Sequence, residues 1–228
     1  MEAGSKLPSV AIDGPAGAGK STVAQLLAKR LKFTYIDTGA MYRALTWKAL
    51  QKGVDLRDEG ALTRLAADTS IELTAIGDGA LKVYCDGEDI TEEIRKPAVS
   101  QWVSIVAKVP EVRRRMVELQ RRMGQRGGVV MDGRDIGSQV LPDAEYKFFL
   151  TASLEERTKR RCLELKMRGF TYDEKRIKEE LEERDWLDTH REAGPLVKVP
   201  EAVLVDTTGC SVEQVVEKML EIIRRGEK

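Results

Sequence analysis

A glycine-rich segment between two apolar stretches constrains the fold of this chain more than any other feature. Residues 14–21 read GPAGAGKS and match the phosphate-binding loop pattern G-x-x-x-x-G-K-[ST]. The run 9–13 before it has the composition of a buried strand, and the apolar residues of 23–31 recur at helical spacing. A strand, such a loop and a helix in this order predict an α/β fold that binds the phosphates of a nucleotide.

The chemistry of phosphate binding explains the residue types in this loop. Glycines allow successive backbone N–H groups to point at one phosphate, and the N-terminus of the following helix adds partial positive charge. Lys20 is expected to reach the β- and γ-phosphates, and the Ser21 hydroxyl is expected to ligate Mg²⁺. The residues expected to bind ATP here are Gly14, Pro15, Ala16, Gly17, Ala18, Gly19, Lys20, Ser21 and Thr22.

The composition of the 228 residues argues against several other classes of protein. Lysine plus arginine equals aspartate plus glutamate at 38 each, so no overall basic charge favours nucleic acid as the main partner. No apolar stretch is long enough to span a membrane, and the short polar N-terminus is unlike a signal peptide. Cys85, Cys162 and Cys210 form no C-x-x-C pair. We therefore expect a cytoplasmic protein without membrane contact, disulfide framework or zinc site.

The chain contains no asparagine. An Asn-Lys-x-Asp motif for reading guanine is therefore impossible, which argues strongly against a regulatory GTPase. The remaining alternatives for a phosphate loop are a kinase, an ATPase and a nucleotide switch of another kind.

Strand-like runs alternate with helical segments along most of the chain. The strand candidates are 9–13, 34–37, 129–132, 146–150 and 202–206. This alternation predicts a five-stranded parallel sheet with helices on both faces, in three layers. Ligands of such sheets bind at the C-terminal ends of the strands, where Asp13, Asp37, Asp132 and Asp206 all occur.

One stretch departs from this alternation. Residues 71–75 and 81–85 each alternate between polar and apolar side chains, with Gly77, Asp78 and Gly79 between them. This pattern predicts an antiparallel hairpin inside a small insertion. Pro110 is then expected to open a new helix, since proline is tolerated in the first helical turn.

Capping patterns beginning at Ser153 and Thr171 predict a charged helical hairpin over 154–190. Runs of charge are usually solvated surface, but Arg157 and Arg161 share one helix face, as do the arginines near the end of the hairpin. Two aligned rows of cations suit a lid that closes over phosphates. The predicted division of the chain is core 7–65, monophosphate-binding insertion 66–104, core 105–153, lid 154–192 and core 193–228.

Two further segments bring arginines to the edge of the sheet that carries the phosphate loop. Residues 35–43 read YIDTGAMYR, and residues 131–137 read MDGRDIG. Arg43 and Arg134 would therefore join Lys20 and the arginines of the lid. Hydrolysis of a single triphosphate does not need so many cations, whereas two phosphorylated ligands facing each other do.

Taken together, these segments resemble the bacterial cytidylate kinases, a branch of the nucleoside monophosphate kinase family. The resemblance covers nearly the whole chain and rests on ID-GP-x-GAGKST, IDTGAMYR, DGRDIG, the ERD-x-x-D-x-x-R run over 183–191 and the β-rich insertion. It implies transfer of the γ-phosphoryl group of ATP to CMP and dCMP, with Mg²⁺. A monomer is the default expectation for a closing enzyme of this size.

Carried over by position, the resemblance also implies individual roles. The phosphate of CMP would be held by Thr38, Arg43, Arg134 and Arg191, its phosphate and ribose hydroxyls by Arg184 and Asp188, and its base by Ser104, Arg113 and Asp135. The transferring group would be stabilised by Lys20, Arg134 and Arg161, adenine would be stacked by Arg157, and Mg²⁺ would be held by Ser21 and Asp132.

The expected reaction needs no general base. The acceptor is a phosphate whose second pKa is about 6, so it is already largely a dianion at pH 7. His190, the sole histidine, is therefore expected to be a bystander.

Two alternatives stay open at this point. The nearest is another small-molecule kinase on the same scaffold, such as a thymidylate, adenylate or shikimate kinase. The other is a non-catalytic nucleotide switch or a nucleic-acid-stimulated ATPase, in which the arginine clusters at 113–115 and 121–122 would bind RNA phosphates. An aromatic content of 5% disfavours the second, because such binders use aromatic side chains to stack bases.

Overall fold

The computed structural model describes residues 7–76 and 80–226, which are arranged around a five-stranded parallel sheet. In chain order the elements are β1 Leu7–Asp13, α1 Lys20–Leu31, β2 Thr34–Asp37, α2 Thr38–Gln51, α3 Glu59–Ala67, β3 Ile71–Ile76, β4 Ala80–Cys85, β5 Glu88–Asp89, α4 Pro97–Lys108, α5 Pro110–Gly124, β6 Gly127–Asp132, β7 Tyr146–Thr151, α6 Leu154–Met167, α7 Glu174–His190, β8 Val203–Asp206 and α8 Val212–Arg225. A 3₁₀ turn, Glu93–Arg95, precedes α4, and a π-helical turn, Ile136–Val140, follows β6. The order of the parallel strands is β2-β6-β1-β7-β8.

The register of this sheet brings the predicted aspartates to one edge. Asp132 of β6 pairs with Asp37 of β2 on one side and with Ile12 of β1 on the other. Asp206 pairs with Thr151 at the same end of the sheet. The expectation that these carboxylates share the C-terminal edge is confirmed.

Alternation along the strands gives the sheet two apolar faces. Ile12 and Val130 pack with Leu27 of α1 and Val216 of α8 on one face. Ala11, Val129 and Met131 pack on the other face, in a cluster that includes side chains of the 136–140 turn. Because helices cover both faces, the predicted three-layer fold is confirmed.

The predicted antiparallel insertion is confirmed as the three-stranded sheet β3-β4-β5. Ile71 pairs with Cys85 and Ile76 with Ala80, while the predicted turn at 77–79 lies outside the described residues. Val83 of this sheet is buried in the cluster that also holds Met41 of α2. The predicted ends of the insertion, residues 66 and 104, lie within α3 and α4. The division of the chain into domains stays a prediction.

The two lid helices are present, but one start signal was wrong. Ser153 caps α6, as predicted, by accepting a hydrogen bond from the Glu156 N–H at 3.2 Å. The cap of α7 is Asp173 and not Thr171, because the Asp173 carboxylate accepts from the N–H groups of Lys175 and Arg176 at 2.9 and 3.4 Å. A carboxylate next to the helix is a stronger cap than a hydroxyl two residues earlier.

The lid attaches to the core through a small apolar cluster. Cys162 and Leu165 of α6 and Ile177 and Leu181 of α7 pack together with Ala16 of the phosphate loop. The last helix begins at a Ser211 capping box with Gln214 and ends at Gly226, as its sequence predicts. Within the part of the chain that is described, no helix is both long enough and apolar enough to cross a membrane.

Candidate active site

The phosphate-binding loop lies between β1 and α1, where the sequence predicts it. Gly17 and Gly19 adopt positive φ angles of 77° and 83°, which favour glycine because other side chains are strained there. The Lys20 ammonium folds back over the loop and donates to the Pro15 carbonyl oxygen at 2.7 Å. Burial, followed by repulsion from Arg134, lowers the pKa of Lys20 well below its usual value. The negative charge of a bound polyphosphate would offset both effects.

Asp132 connects the loop to the neighbouring strands. Its Oδ2 atom accepts from the Ser21 hydroxyl at 2.9 Å, and its Oδ1 atom accepts from the Tyr35 hydroxyl at 2.9 Å. Burial raises the pKa of Asp132 to about 6, and the nearby Asp37 adds to this effect. The Asp132 carboxyl is therefore poorly compensated at neutral pH, and a nearby cation would stabilise its ionised form.

The oxygen atoms of Ser21 and Asp132 fit the preference of Mg²⁺ for hard oxygen ligands. Among the described residues there is no group of three or more His, Cys, Asp or Glu side chains that could hold a metal ion. An ion at Ser21 and Asp132 would therefore take its remaining ligands from phosphates and water, as is usual for magnesium bound with a nucleotide.

The loop opens into a cavity of about 510 Å³ whose charge is strongly unbalanced. Its cationic lining residues are Lys20, Arg43, Arg95, Arg134, Arg160, Arg161 and Arg184, and its acidic ones are Asp37, Asp132 and Glu164. Seven positive groups against three negative ones favour a ligand that carries several negative charges. Five of the predicted site cations are brought together here, and the predicted residues Arg157 and Arg191 lie outside this lining.

Arg43 and Arg161 meet at one hydroxyl group. Ser100 Oγ of α4 accepts from Arg43 Nη1 at 2.9 Å and from Arg161 Nη2 at 3.2 Å. Burial, followed by repulsion from Arg184, lowers the pKa of Arg43 to about 9. Burial and Arg134 lower the pKa of Arg184 to about 10, and the buried Arg184 Nε has no hydrogen-bond partner within the described structure. An anion bound among these arginines would stabilise them.

Asp188 holds two of the predicted phosphate ligands. Its Oδ2 atom pairs with Arg134 Nε at 2.7 Å, and its Oδ1 atom pairs with Arg191 Nη1 at 3.3 Å. Burial opposes ionisation of Asp188, but Arg134, Arg184 and Arg191 together lower its pKa below the usual value. The end of the lid is thereby tied to the loop that follows β6.

The residues predicted to read the base lie on α4, on α5 and in the loop that follows β6. Arg113 and Asp135 form a buried ion pair, and the Arg113 guanidinium also lies 5.4 Å from the centre of the Tyr42 ring. Ser104 lines a second cavity of about 460 Å³ between α4 and α7. Arg113 and Asp135 are thus in contact with each other, and Ser104 lies one helical turn before Ala107, whose carbonyl oxygen accepts from Arg113.

Arg157 lies beneath the phosphate loop. Its Nη1 atom donates to the Ala16 carbonyl oxygen at 3.1 Å and pairs with Asp185 Oδ2 at 2.6 Å. These contacts hold the Arg157 guanidinium away from the residues that line the cavity. Its stacking on adenine stays a prediction.

Two cations of the cavity, Arg160 and Arg95, were missed by sequence reasoning. Arg160 donates from Nη1 to Thr207 Oγ1 at 2.9 Å and from Nη2 to the Thr207 carbonyl oxygen at 2.7 Å. The position of Arg160 next to Arg161 could have indicated that it lines the cavity. Arg95 lies in the insertion, and the sequence around it gives no such indication.

His190 lies outside both cavities. Its ring stacks on exposed Trp186 with the ring centres 4.7 Å apart, and its Nδ1 atom lies 2.9 Å from the Trp186 carbonyl oxygen. This placement agrees with a bystander role, which remains a prediction.

Comparison with known proteins gives the family of this chain. The family model described as cytidylate kinase matches residues 10–225. A cytidylate kinase of Pelotomaculum thermopropionicum is 58% identical over 221 residues, which cover 97% of this chain and 98% of that protein. A second, from Geobacillus thermodenitrificans, is 57% identical over 214 residues, covering 94% and 95%.

Among solved structures, a gluconokinase from Sinorhizobium meliloti aligns with a TM-score of 0.50 and covers 97% of this chain and 94% of that one. At 14% identity this likeness concerns the fold alone. The sequence matches are far stronger, and they agree with the resemblance carried by the four motifs. The chain belongs to the cytidylate kinase family.

Proposed function

We propose that this chain transfers the γ-phosphoryl group of ATP to CMP, and also to dCMP, giving ADP and the corresponding diphosphate. One observation carries the proposal beyond family membership: the phosphate loop and the acceptor-side arginines Arg43 and Arg134 line one cavity. A nucleoside triphosphate and a monophosphate can therefore meet there with their phosphates facing each other. The thymidylate, adenylate and shikimate kinase alternatives share this requirement but differ in the acceptor.

Recognition of the base is what separates CMP from the other acceptors. Cytosine presents an N4 amino donor beside the N3 and O2 acceptors. We propose that Asp135 and Ser104 accept from the amine while Arg113 donates to the ring acceptors. Uracil reverses the polarity at two of these positions and would leave buried groups unpaired, at a cost of about 1–3 kcal/mol each.

Because Arg113 and Asp135 pair with each other, part of this ion pair would have to open before the two residues can bind the base. Arg113 Nη2 already pairs with Asp135 Oδ2, and Arg113 Nη1 donates to the Ala107 carbonyl oxygen at 3.0 Å. Cytosine would have to enter between them and replace part of that pairing. A base with the wrong polarity cannot compensate for the lost pair, so the step favours cytosine.

The phosphate of the acceptor is proposed to bind Thr38, Arg43, Arg134 and Arg191, with Arg184 and Asp188 contacting phosphate and ribose hydroxyls. Asp188 already orients Arg134 and Arg191, so their guanidinium groups need little rearrangement to receive a dianion. Charge-assisted hydrogen bonds from arginine are among the stronger polar contacts in proteins, and they would fix the attacking oxygen in line.

Catalysis is proposed to rest on alignment and charge neutralisation. The transition state of phosphoryl transfer is loose and spreads charge over the equatorial oxygens, which Lys20, Arg134 and Arg161 would stabilise. Ser21 and Asp132 would hold Mg²⁺, which neutralises phosphate charge when bound. No proton has to be removed from the acceptor, so no general base is required. Closure of the lid would exclude water and suppress wasteful hydrolysis of ATP.

A cytoplasmic location, a monomeric state and the absence of a nucleic-acid partner stay predictions. These three predictions are based on the composition of the chain and on its proposed small-molecule substrates.

A nucleotide panel tests the proposal. The purified chain is assayed with ATP and Mg²⁺ against CMP, dCMP, UMP, AMP and shikimate, and the products are separated by chromatography. We expect CDP and dCDP to form with kcat/KM at least tenfold above that for UMP. ATP turnover that requires RNA and ignores CMP would contradict the proposal, and preference for another acceptor would assign a different kinase.

A further inference from the structure

Arg95 is a cation of the central cavity that no motif of the sequence indicates. It is the last residue of the 3₁₀ turn Glu93–Arg95 in the insertion, and it follows Ile94, which is completely buried in the core shared with α2. Burial of Ile94 fixes the turn against the core. The Arg95 side chain lines the same cavity as Lys20 and Arg43.

Most of the hydrogen-bonding capacity of Arg95 is unused. A guanidinium group has five N–H donors. In the described structure, the one hydrogen bond of this side chain runs from Nη2 to Asp37 Oδ2 at 3.3 Å, and the side chain is 32% exposed. The buried pair of Arg113 and Asp135 differs, because its arginine is 4% exposed and also bonds a backbone carbonyl. Arg95 is therefore positioned at the cavity with donors that a ligand can use.

The partner of Arg95 indicates which ligand would use them. Asp37 caps α2, since its Oδ1 atom accepts from the Ala40 N–H at 2.9 Å. Gly39, in the first turn of α2, lines the cavity, and Arg43 follows one turn later. A cation beside the positive end of a helix is unfavourable unless an anion lies between or near them. Asp37 supplies part of that negative charge, and a phosphate dianion would supply the rest.

We propose that Arg95 is a further ligand of the acceptor phosphate and links the insertion to that phosphate. The proposal rests on the proposed function, because the phosphate in question is that of the acceptor nucleotide. The unused N–H groups of Arg95 donate to phosphate oxygens, while Nη2 keeps its contact with Asp37.

Replacement of Arg95 by methionine tests this assignment, because Arg95→Met removes the charge and the donors while keeping a long side chain. Lys96→Met is the matched control, since Lys96 is the next residue and forms an exposed pair with Glu93 at 2.7 Å. Steady-state kinetics give kcat and KM for CMP and for ATP. Cytidine, which lacks the phosphate, is used as a competitive inhibitor, and the thermal shift caused by CMP is measured without turnover.

For Arg95→Met we expect kcat/KM for CMP to fall at least tenfold, while KM for ATP changes less than twofold. The inhibition constant of cytidine should stay within twofold, and the thermal shift caused by CMP should shrink. Arg95→Lys should recover part of the loss, because it keeps the charge but not the forked geometry. Lys96→Met should behave like the wild type in every measurement.

Equal weakening of CMP and cytidine would overturn the proposal, because Arg95 would then support the shape of the insertion and not bind phosphate. Unchanged kinetics with CMP would also overturn it. If Arg95→Met proves too unstable to purify, the same ratio of CMP to cytidine is measured on Arg95→Lys. If the wild-type chain neither binds nor phosphorylates CMP, the proposed function itself is refuted. If the wild type is fully active and Arg95→Met has the same kinetics with CMP, only the role of Arg95 is refuted.

Discussion

Lys20 is the single residue whose surroundings depend most on a bound anion. Its ammonium is buried and donates a hydrogen bond to a loop carbonyl, that of Pro15. Replacement by methionine keeps most of the packing and removes the charge that would meet the β- and γ-phosphates. We expect Lys20→Met to lower kcat at least 100-fold, the scale of losing one preorganised group that stabilises transition-state charge.

The measurement is steady-state turnover of CMP at saturating ATP, with Lys29→Met on the exposed end of α1 as the control. The thermal midpoint of ligand-free Lys20→Met should not fall, because burial already disfavours the Lys20 charge. Near-normal turnover of Lys20→Met would remove this residue from the catalytic machinery.

At the level of residues, the sequence predicted five of the seven cations that line the cavity, but not how they pair. The loop pattern and the arginine-bearing segments were enough to place Lys20, Arg43 and Arg134 at one edge of a parallel sheet. Arg157 and Arg160 are three residues apart on α6, and which of them faces the cavity depends on how the helix packs against the loop. A Cβ atom on Gly17 would lie 3.0 Å from Arg157 Cβ, and no local pattern reveals this contact.

Among the elements, α7 is joined to the core in part by the carboxylate of Asp188. Asp188 lies near its C-terminal end and pairs with Arg134 of the core and Arg191 at the helix end. Asp188→Asn keeps the shape of the side chain but weakens both ion pairs. The positive charges of Arg134 and Arg191 are then less well neutralised. We expect faster amide hydrogen exchange in the last two turns of α7 in the ligand-free protein, and KM for CMP raised about tenfold.

Glu182→Gln, an exposed change on the same helix, serves as the control for this experiment. Addition of CMP should bring the exchange of Asp188→Asn back toward that of the wild type, because the phosphate can pair with the arginines that Asp188 released. Exchange that is unchanged by the substitution would mean that the lid is held by its apolar cluster alone.

Elements with strong local signals were predicted well. The five parallel strands, the hairpin and the capped last helix each carry a pattern of their own, and the structure confirms them. The π-helical turn Ile136–Val140 has no such pattern. It is held by Asp13, whose two carboxylate oxygens accept from the N–H groups of Ile136 and Gly137 at 2.8 Å each. That contact joins residues more than 120 positions apart, so local sequence does not reveal it.

Seen as a whole, the molecule packs the insertion and the lid each against a segment of the predicted site. The insertion packs on α2, which also carries Arg43, and the lid packs on Ala16 of the phosphate loop. Each part therefore contacts a segment that is proposed to bind one of the two substrates. The sequence indicated the parts, but the attachment at Ala16 depends on tertiary packing and could not be read from periodicity.

At the centre of the molecule, the buried carboxylate of Asp132 lowers the stability of the fold when it is ionised. Burial and Asp37 raise the pKa of Asp132 from 3.8 to about 6. Because this pKa is higher in the folded chain than in the unfolded chain, the folded state binds the proton more tightly. Ionisation of Asp132 above pH 6 therefore lowers stability, and the loss is reversed as the pH falls from about 6 toward 4.

Asp132→Asn should consequently raise the thermal midpoint of the ligand-free protein at pH 8, by roughly 2–6 °C for a chain of this size. The gain should shrink as the pH is lowered through 6, since wild-type Asp132 then becomes protonated as well. Thermal unfolding of both proteins between pH 8 and pH 5, with exposed Asp143→Asn as the control, gives this comparison. Turnover of CMP should fall at least 100-fold in Asp132→Asn, because the carboxylate proposed to hold Mg²⁺ is lost. A midpoint that drops at pH 8, or a gain that does not depend on pH, would mean that Asp132 stabilises the fold through its bonds to Ser21 and Tyr35 more than its buried charge destabilises it.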